Sequence, residues 1–228
     1  MDIRSPLFYI LPKIHKQPNE DLPLKYPGRP IVSACNSPTE NISKYIDSVL
    51  KPYMFELPSF VKDTTDFINK IRNITLKSND TFLVTLDVAS LYTNIPHEDG
   101  IRACEHFLQN ETNDKGSYIS QLLRLVLENN YFQFNDEFYL QQMGTAMGSS
   151  MAPAYASLFM GKFETDFLNT CDKKPTLWFR FLDDIFLLWD HSLDDLHLLI
   201  DNINEYHPNM KFTHTISKQS VSFLDVQI

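Results

Sequence analysis

The sequence predicts an α+β protein, with a mostly antiparallel sheet and helices packed on one face. Three observations lead there. Short β-branched and aromatic runs recur along the chain, each bounded by turn residues. Amphipathic segments at helical spacing are interspersed among them. The two kinds do not alternate as regular βαβ units, so a doubly wound parallel sheet is not expected.

Residues 7–16 read as a strand leading into a basic turn, and GRPIVSA (28–34) as a second strand. SPTE (37–40) has the form of a capping box, with Ser37 as N-cap, Pro38 at the first helical position and Glu40 at the third. The following helix carries Ile42, Ile46, Val49 and Leu50 on one side and is expected to stop near Pro52. Phe67, Ile68, Ile71 and Ile74 mark a helix over about 64–74. TFLVTLDVASLY (81–92) begins as a β-branched strand that ends in Asp87. Pro96 suits the first turn of a helix over 96–109, and residues 117–130 form an amphipathic one. YFQFNDEFYLQ (131–141) is a hairpin turning at Asn135-Asp136. The glycine- and serine-rich GTAMGSSMAP (144–153) opens a helix over 153–169. A hairpin follows at 178–190, then a helix capped by Ser192 and Asp195 that ends before Pro208. KFTHTI and VSFLDVQI close the chain as two strands.

The 228 residues suit one large domain or two small ones, and 43% hydrophobic content supplies a substantial core. No apolar run reaches the length of a membrane span, and the N-terminus lacks the pattern of a signal peptide. Three scattered cysteines, Cys35, Cys104 and Cys171, indicate neither a disulfide framework nor a zinc site, so an intracellular compartment (nuclear or cytoplasmic) is expected. A net charge of −9 counts against a nucleic-acid binder. The basic residues are uneven, however: Lys13, His15, Lys16, Lys25 and Arg29 gather near the start.

WFRFLDDIFLLWD (178–190) sets Asp183 and Asp184 side by side within an otherwise apolar run. One reading is turn chemistry at a hairpin tip, where Asp is at home. The other is a metal site, because hard divalent cations take carboxylate oxygens and offset the cost of crowding anions near apolar walls. The second reading needs another carboxylate, and Asp87 at a strand end can supply it. If the two strands are neighbours, the three acids converge and suit two Mg²⁺ ions in phosphoryl transfer.

LPKIHK, GRPIVS, LVTLDVASLYTNIP, GTAMGSSMAPAYASLFM, FRFLDDIFLL and VSFLDVQI follow one another over nearly the whole chain. This order resembles the palm and fingers of reverse transcriptases, and most closely those of Penelope-like retroelements, relatives of telomerase and group II intron enzymes. The resemblance implies a right-hand polymerase fold, with a fingers-like region at 1–80 and a palm-like region at 81–228. It implies an RNA-directed DNA polymerase using Mg²⁺, or Mn²⁺ in its place, with an RNA template, a DNA primer and deoxynucleoside triphosphates as partners.

Position by position, the resemblance makes Asp87, Asp183 and Asp184 the catalytic carboxylates, with Asp87 and Asp183 holding both metals. It adds the backbone carbonyl of Val88 as a ligand. Tyr92 stands where the family carries an aromatic against the ribose 2′-OH; a core Tyr is the plainer alternative. Lys13, Lys16 and Arg29 match cations that meet the triphosphate, against the alternative of a solvated surface. Met147-Gly148 falls where many relatives have Gln-Gly, in a loop whose small residues let template and nucleotide approach backbone. Phe223, Leu224 and Asp225 resemble the primer grip. Lys218 is a loose match to a late proton-donating lysine, and a solvated surface lysine is the plainer alternative. The chain lacks a recognisable thumb or endonuclease domain, so it is expected to be a piece of a longer protein. The competing expectation is a retroelement relic that folds without doing chemistry and binds nucleic acid weakly at most. A third, another palm-type nucleotidyl transferase or cyclase, is disfavoured by GRPIVS and MGSSMAP.

Overall fold

The computed structural model describes residues 4–14, 21, 25–76, 80–109 and 114–228. In chain order its elements are β1 (Leu7–Pro12), β2 (Gly28–Ser33), α1 (Glu40–Phe55), α2 (Thr64–Ile71), β3 (Phe82–Val88), α3 (Leu91–Asn94), α4 (His97–Leu108), α5 (Lys115–Glu128), β4 (Tyr131–Phe134), β5 (Glu137–Leu140), α6 (Ala152–Thr170), β6 (Leu177–Phe181), β7 (Asp184–Trp189), α7 (Leu193–Tyr206), β8 (Phe212–Ser217), β9 (Ser222–Phe223) and β10 (Val226–Gln227). They fall into two compact units, Met1–Leu50 with Pro96–Tyr155, and Lys51–Ile95 with Ala156–Ile228. Each unit is thus made of two separate stretches of the chain.

The first unit holds a four-stranded sheet in the order β2-β1-β4-β5. β1 and β2 run antiparallel from Leu7↔Ser33 to Pro12↔Gly28, and β1 meets β4 in parallel at Leu7↔Gln133. The β4–β5 hairpin turns at Asn135 and Asp136, with φ of 50° and 62°. Two left-handed residues are what a type I′ turn requires, and Asn and Asp tolerate them. Beside the sheet, α4 and α5 pack through Ile101, Cys104 and Leu108 against Ile119, Leu123 and Leu127, all buried. Burial pushes the Cys104 thiol pKa far up.

Two expectations for α1 need correcting. The helix begins at Glu40 rather than at Pro38, and the Glu40 carboxylate accepts from the Asn36 N–H at 2.6 Å, one residue before the Ser37 N–H that a capping box would use. The helix also runs through Pro52 to Phe55. Ile46, Leu50 and Met54 are buried at four-residue spacing, so the apolar stripe continues past the proline and outweighs one lost hydrogen bond.

The second unit is built on an antiparallel sheet in the order β6-β7-β3-β8. The long helices α6 and α7 cover one face. There Phe163 of α6 packs on Phe212 of β8 at 5.7 Å, and the Asn204 side chain of α7 accepts from the Phe212 N–H at 2.8 Å. α7 is capped as expected, the Ser192 hydroxyl accepting from the Asp195 N–H. Part of the other face is covered by α2 and the β9–β10 hairpin. Phe67 of α2 is the hub, with ring centroids 5.3 Å from Phe186 and 4.6 Å from Phe223. VSFLDVQI is therefore not one strand. It folds back at Leu224-Asp225, where Leu224 has φ 52°, into a separate two-stranded sheet. Among the described residues no helix is long and apolar enough to cross a membrane.

Candidate active site

The second unit brings the three singled-out acids to one end of its sheet. β3 and β7 are neighbours, and their register pairs Asp87 directly with Asp184. Directly opposed residues share a face of an antiparallel pair and stand roughly 5 Å apart at Cβ. That face also carries Leu83 and Thr85 of β3 with Phe186 and Leu188 of β7. Leu83, Phe186 and Leu188 lie in the core beneath α2. Asp87, at the strand end beyond them, is exposed, and Asp184 is half-buried.

Asp183 sits in the two-residue turn Leu182-Asp183 that joins β6 to β7. Leu182 has φ 54° and Asp183 does not share the positive sign, the pattern of a II′ turn. The Asp183 carbonyl accepts from the Val88 N–H at 3.0 Å, which ties the turn to the residue after Asp87. The residue in register with Asp87 is thus Asp184, and Asp183 lies one step further out. The acids are hard oxygen donors of the type a divalent cation takes. Among the described residues, however, no three His, Cys, Asp or Glu side chains form a closed metal-holding group.

Behind the turn lies a polar cluster. Arg180 of β6 is fully buried and its Nε donates to Glu164 Oε1 of α6 at 2.6 Å. The signal was present in the sequence: one Arg inside WFRFL, and one Glu inside the apolar face of LFMGKFETDF. A buried charge requires a partner, and each supplies the other's.

The remaining candidates are dispersed. Tyr92 is half-buried on the short α3, in the same unit as the acids. Phe223 is a core residue and Leu224 packs against the same cluster; Asp225 alone of the three is exposed, accepting from the Thr64 hydroxyl at 3.1 Å. Lys218 pairs with Asp80 at 2.9 Å and lies over the Phe82 ring. In the first unit, Arg29 is exposed on β2 and Lys13 is half-buried just past β1. Lys16 lies outside the described residues. Met147 and Gly148 lie against β2: the Val32 N–H donates to the Met147 carbonyl at 3.2 Å. Gly148 has φ 142°, and a Cβ there would stand 2.3 Å from the Val32 carbonyl oxygen. The glycine is therefore required by backbone packing within this unit.

A family model described as reverse transcriptase (RNA-dependent DNA polymerase) matches residues 14–224. The chain belongs to the reverse transcriptase family. Solved structures agree on the fold of this reverse transcriptase domain. Telomerase from Candida albicans, in complex with a TWJ fragment of telomeric RNA, superposes with a TM-score of 0.72 at 12% identity, covering 98% of this chain and 44% of that one. Apo telomerase from Candida tropicalis gives 0.72 at 13%, covering 98% and 46%. The RNA-dependent RNA polymerase of a human picorbirnavirus gives 0.66 at 11%, covering 96% and 42%. The domain spans less than half the length of these proteins, and at such identities the likeness is one of fold: palm and fingers of a polymerase. No curated protein matches the sequence.

Proposed function

We propose that the chain is the core of an RNA-directed DNA polymerase from a retroelement of the Penelope-like kind, acting inside the cell by two-metal nucleotidyl transfer. The observation that carries the reading is the register Asp87↔Asp184 with Asp183 in the adjoining turn. Family membership supports the reaction class, and the order of motifs supports the retroelement subtype. In this reading Asp87, Asp183 and Asp184, with the Val88 carbonyl, hold Mg²⁺ or Mn²⁺. Such ions would supply charge neutralisation for phosphoryl transfer. Tyr92 crowds the 2′ position of the incoming sugar. Arg29, Lys13 and Lys16 meet its triphosphate, Arg with a bidentate fork and Lys as a point charge. Met147 and Gly148 in the 144–153 loop lie against the nucleotide, and Phe223, Leu224 and Asp225 grip the primer. Fingers and palm correspond, on this proposal, to residues 1–80 and 81–228.

A second reading has specific support in the net charge of −9. On that reading the domain keeps the fold without the chemistry. Primer extension on an RNA template, with and without Mg²⁺, separates the two. Template-dependent incorporation of deoxynucleotides is expected; none at any Mg²⁺ or Mn²⁺ concentration favours the inactive domain.

A further inference from the structure

The turn that carries Asp183 is gripped from behind by a polar cluster for which the proposed chemistry has no use. Arg180 spends its three nitrogens on three partners. Nε donates to Glu164 at 2.6 Å, Nη2 to the Ser157 carbonyl at 3.1 Å and Nη1 to the Leu182 carbonyl at 3.2 Å. Glu164 is filled in turn, accepting from Trp178 Nε1 at 3.0 Å and from the Ser59 hydroxyl at 2.6 Å. The Arg180 backbone is clamped as well: its N–H donates to the Ser59 carbonyl and its carbonyl accepts from the Val61 N–H.

The consequence lies one residue on. The Leu182 carbonyl belongs to the peptide that enters Asp183, and the Asp183 carbonyl belongs to the peptide that leaves it. Arg180 holds the first and the Val88 N–H holds the second. With both peptide planes fixed, the direction of the Asp183 Cα–Cβ bond is fixed too. The chain contains its own comparison. Phe223-Leu224-Asp225 repeats Phe181-Leu182-Asp183, turns in the same two residues, and has the same left-handed Leu, φ 52° against 54°. Ser222 stands there in the place of Arg180. The turn shape therefore forms without an arginine, and what Arg180 adds is a fixed carbonyl. Stability alone accounts poorly for the cluster, since a buried ion pair seldom outperforms apolar packing of the same volume.

We propose that Arg180, braced by Glu164, is a positioning residue that orients the Asp183 carboxylate for divalent-cation binding. The proposal rests on the polymerase reading above. Arg180→Lys tests it, because one ammonium keeps the charge beside Glu164 but cannot span all three partners. Trp178→Phe is the comparison variant: it removes a donor to Glu164 and leaves the bond to Leu182. Three quantities are read on the whole chain: the melting temperature, Mn²⁺ affinity by electron paramagnetic resonance without nucleic acid, and kcat against KM in single-nucleotide extension. Arg180→Lys is expected to weaken Mn²⁺ binding and lower kcat by about tenfold each, with KM for the nucleotide within about twofold. Trp178→Phe is expected to lower the melting temperature and leave the other two near wild type. An Arg180→Lys protein that melts lower but binds Mn²⁺ and extends like wild type overturns the proposal. If Arg180→Lys does not fold, Glu164→Gln decides by the same criteria. Absence of both Mn²⁺ binding and extension in the wild type would instead overturn the polymerase reading itself, and the proposal with it.

Discussion

Gly148 illustrates what a single residue can and cannot disclose. Its place in a small-residue loop is legible in the sequence, which points to nucleotide contact. The structure adds a requirement no sequence pattern states: a positive φ and a carbonyl 2.3 Å from where a Cβ would sit. Gly148→Ala should therefore destabilise the first unit by more than about 1 kcal/mol, as alanine does where φ is positive. Urea unfolding followed by tryptophan-independent circular dichroism checks this; an unchanged midpoint would remove the packing argument. Tyr92 is the opposite case, a role inferred from position. Tyr92→Val should raise ribonucleotide over deoxyribonucleotide incorporation by about 1–3 kcal/mol of discrimination, the range for a pocket that only gains volume. A lower melting temperature with unchanged sugar preference would make Tyr92 a core residue. The acids were legible because carboxylates are costly in apolar runs. Arg180 and Glu164 carry the same signal, but one charge per element does not name its partner until the fold sets strand against helix.

At the scale of elements, local rules succeeded where the chain's own chemistry decides the outcome. The Asn135-Asp136 hairpin and the Ser192 cap are such cases. Ser192→Ala should cost about 1 kcal/mol of stability through the lost cap on α7; a chemical-denaturation midpoint equal to wild type would show that the helix start is held otherwise. Local rules failed where packing decides. α1 continues through Pro52 because Met54 is buried, and VSFLDVQI folds back on itself because Val221, Phe223 and Val226 meet the Phe67 cluster. Neither result can be read from periodicity, which sees one segment at a time. The α4–α5 packing makes a chemical prediction. Cys35 is exposed and Cys104 is buried with its thiol pKa raised. Alkylation near pH 8 should modify Cys35 quickly and Cys104 only on unfolding, as mass spectrometry of the two peptides would show. Equal rates in the native protein would contradict the buried α4 face.

For the whole molecule, composition and fold point in different directions. The chain belongs to a family of polymerases, yet its 20 Lys and Arg are outnumbered by 29 Asp and Glu, for a net charge of −9. Binding of primer–template by this chain should be weak and fall steeply with salt, because affinity for duplexes comes largely from displaced counterions. Tight binding that persists at high salt would mean that charge placement outweighs the total. The fold class was legible from the mixture of runs and turns. The interleaving of the two units was not, because which segments pack together across the crossings at 50–51, 95–96 and 155–156 is a matter of tertiary contact that periodicity in one segment does not show.

On the reading proposed above, Asp87, Asp183 and Asp184 bind divalent cations and do not merely make a turn. Single-nucleotide extension across a Mg²⁺ titration, beside a thermal melt in chelator, separates a metal site from a turn. Asn serves a turn as well as Asp does, so a turn would tolerate the exchange. A metal site would not: Asp87→Asn and Asp183→Asn should lower the rate by roughly a thousandfold or more, and Asp184→Asn by less. The melting temperature in chelator should stay level or rise slightly for Asp87→Asn and Asp184→Asn, since each removes a like charge across the β3–β7 pair. Wild-type extension rates in Asp183→Asn would contradict the metal site and leave the hairpin tip as an ordinary turn.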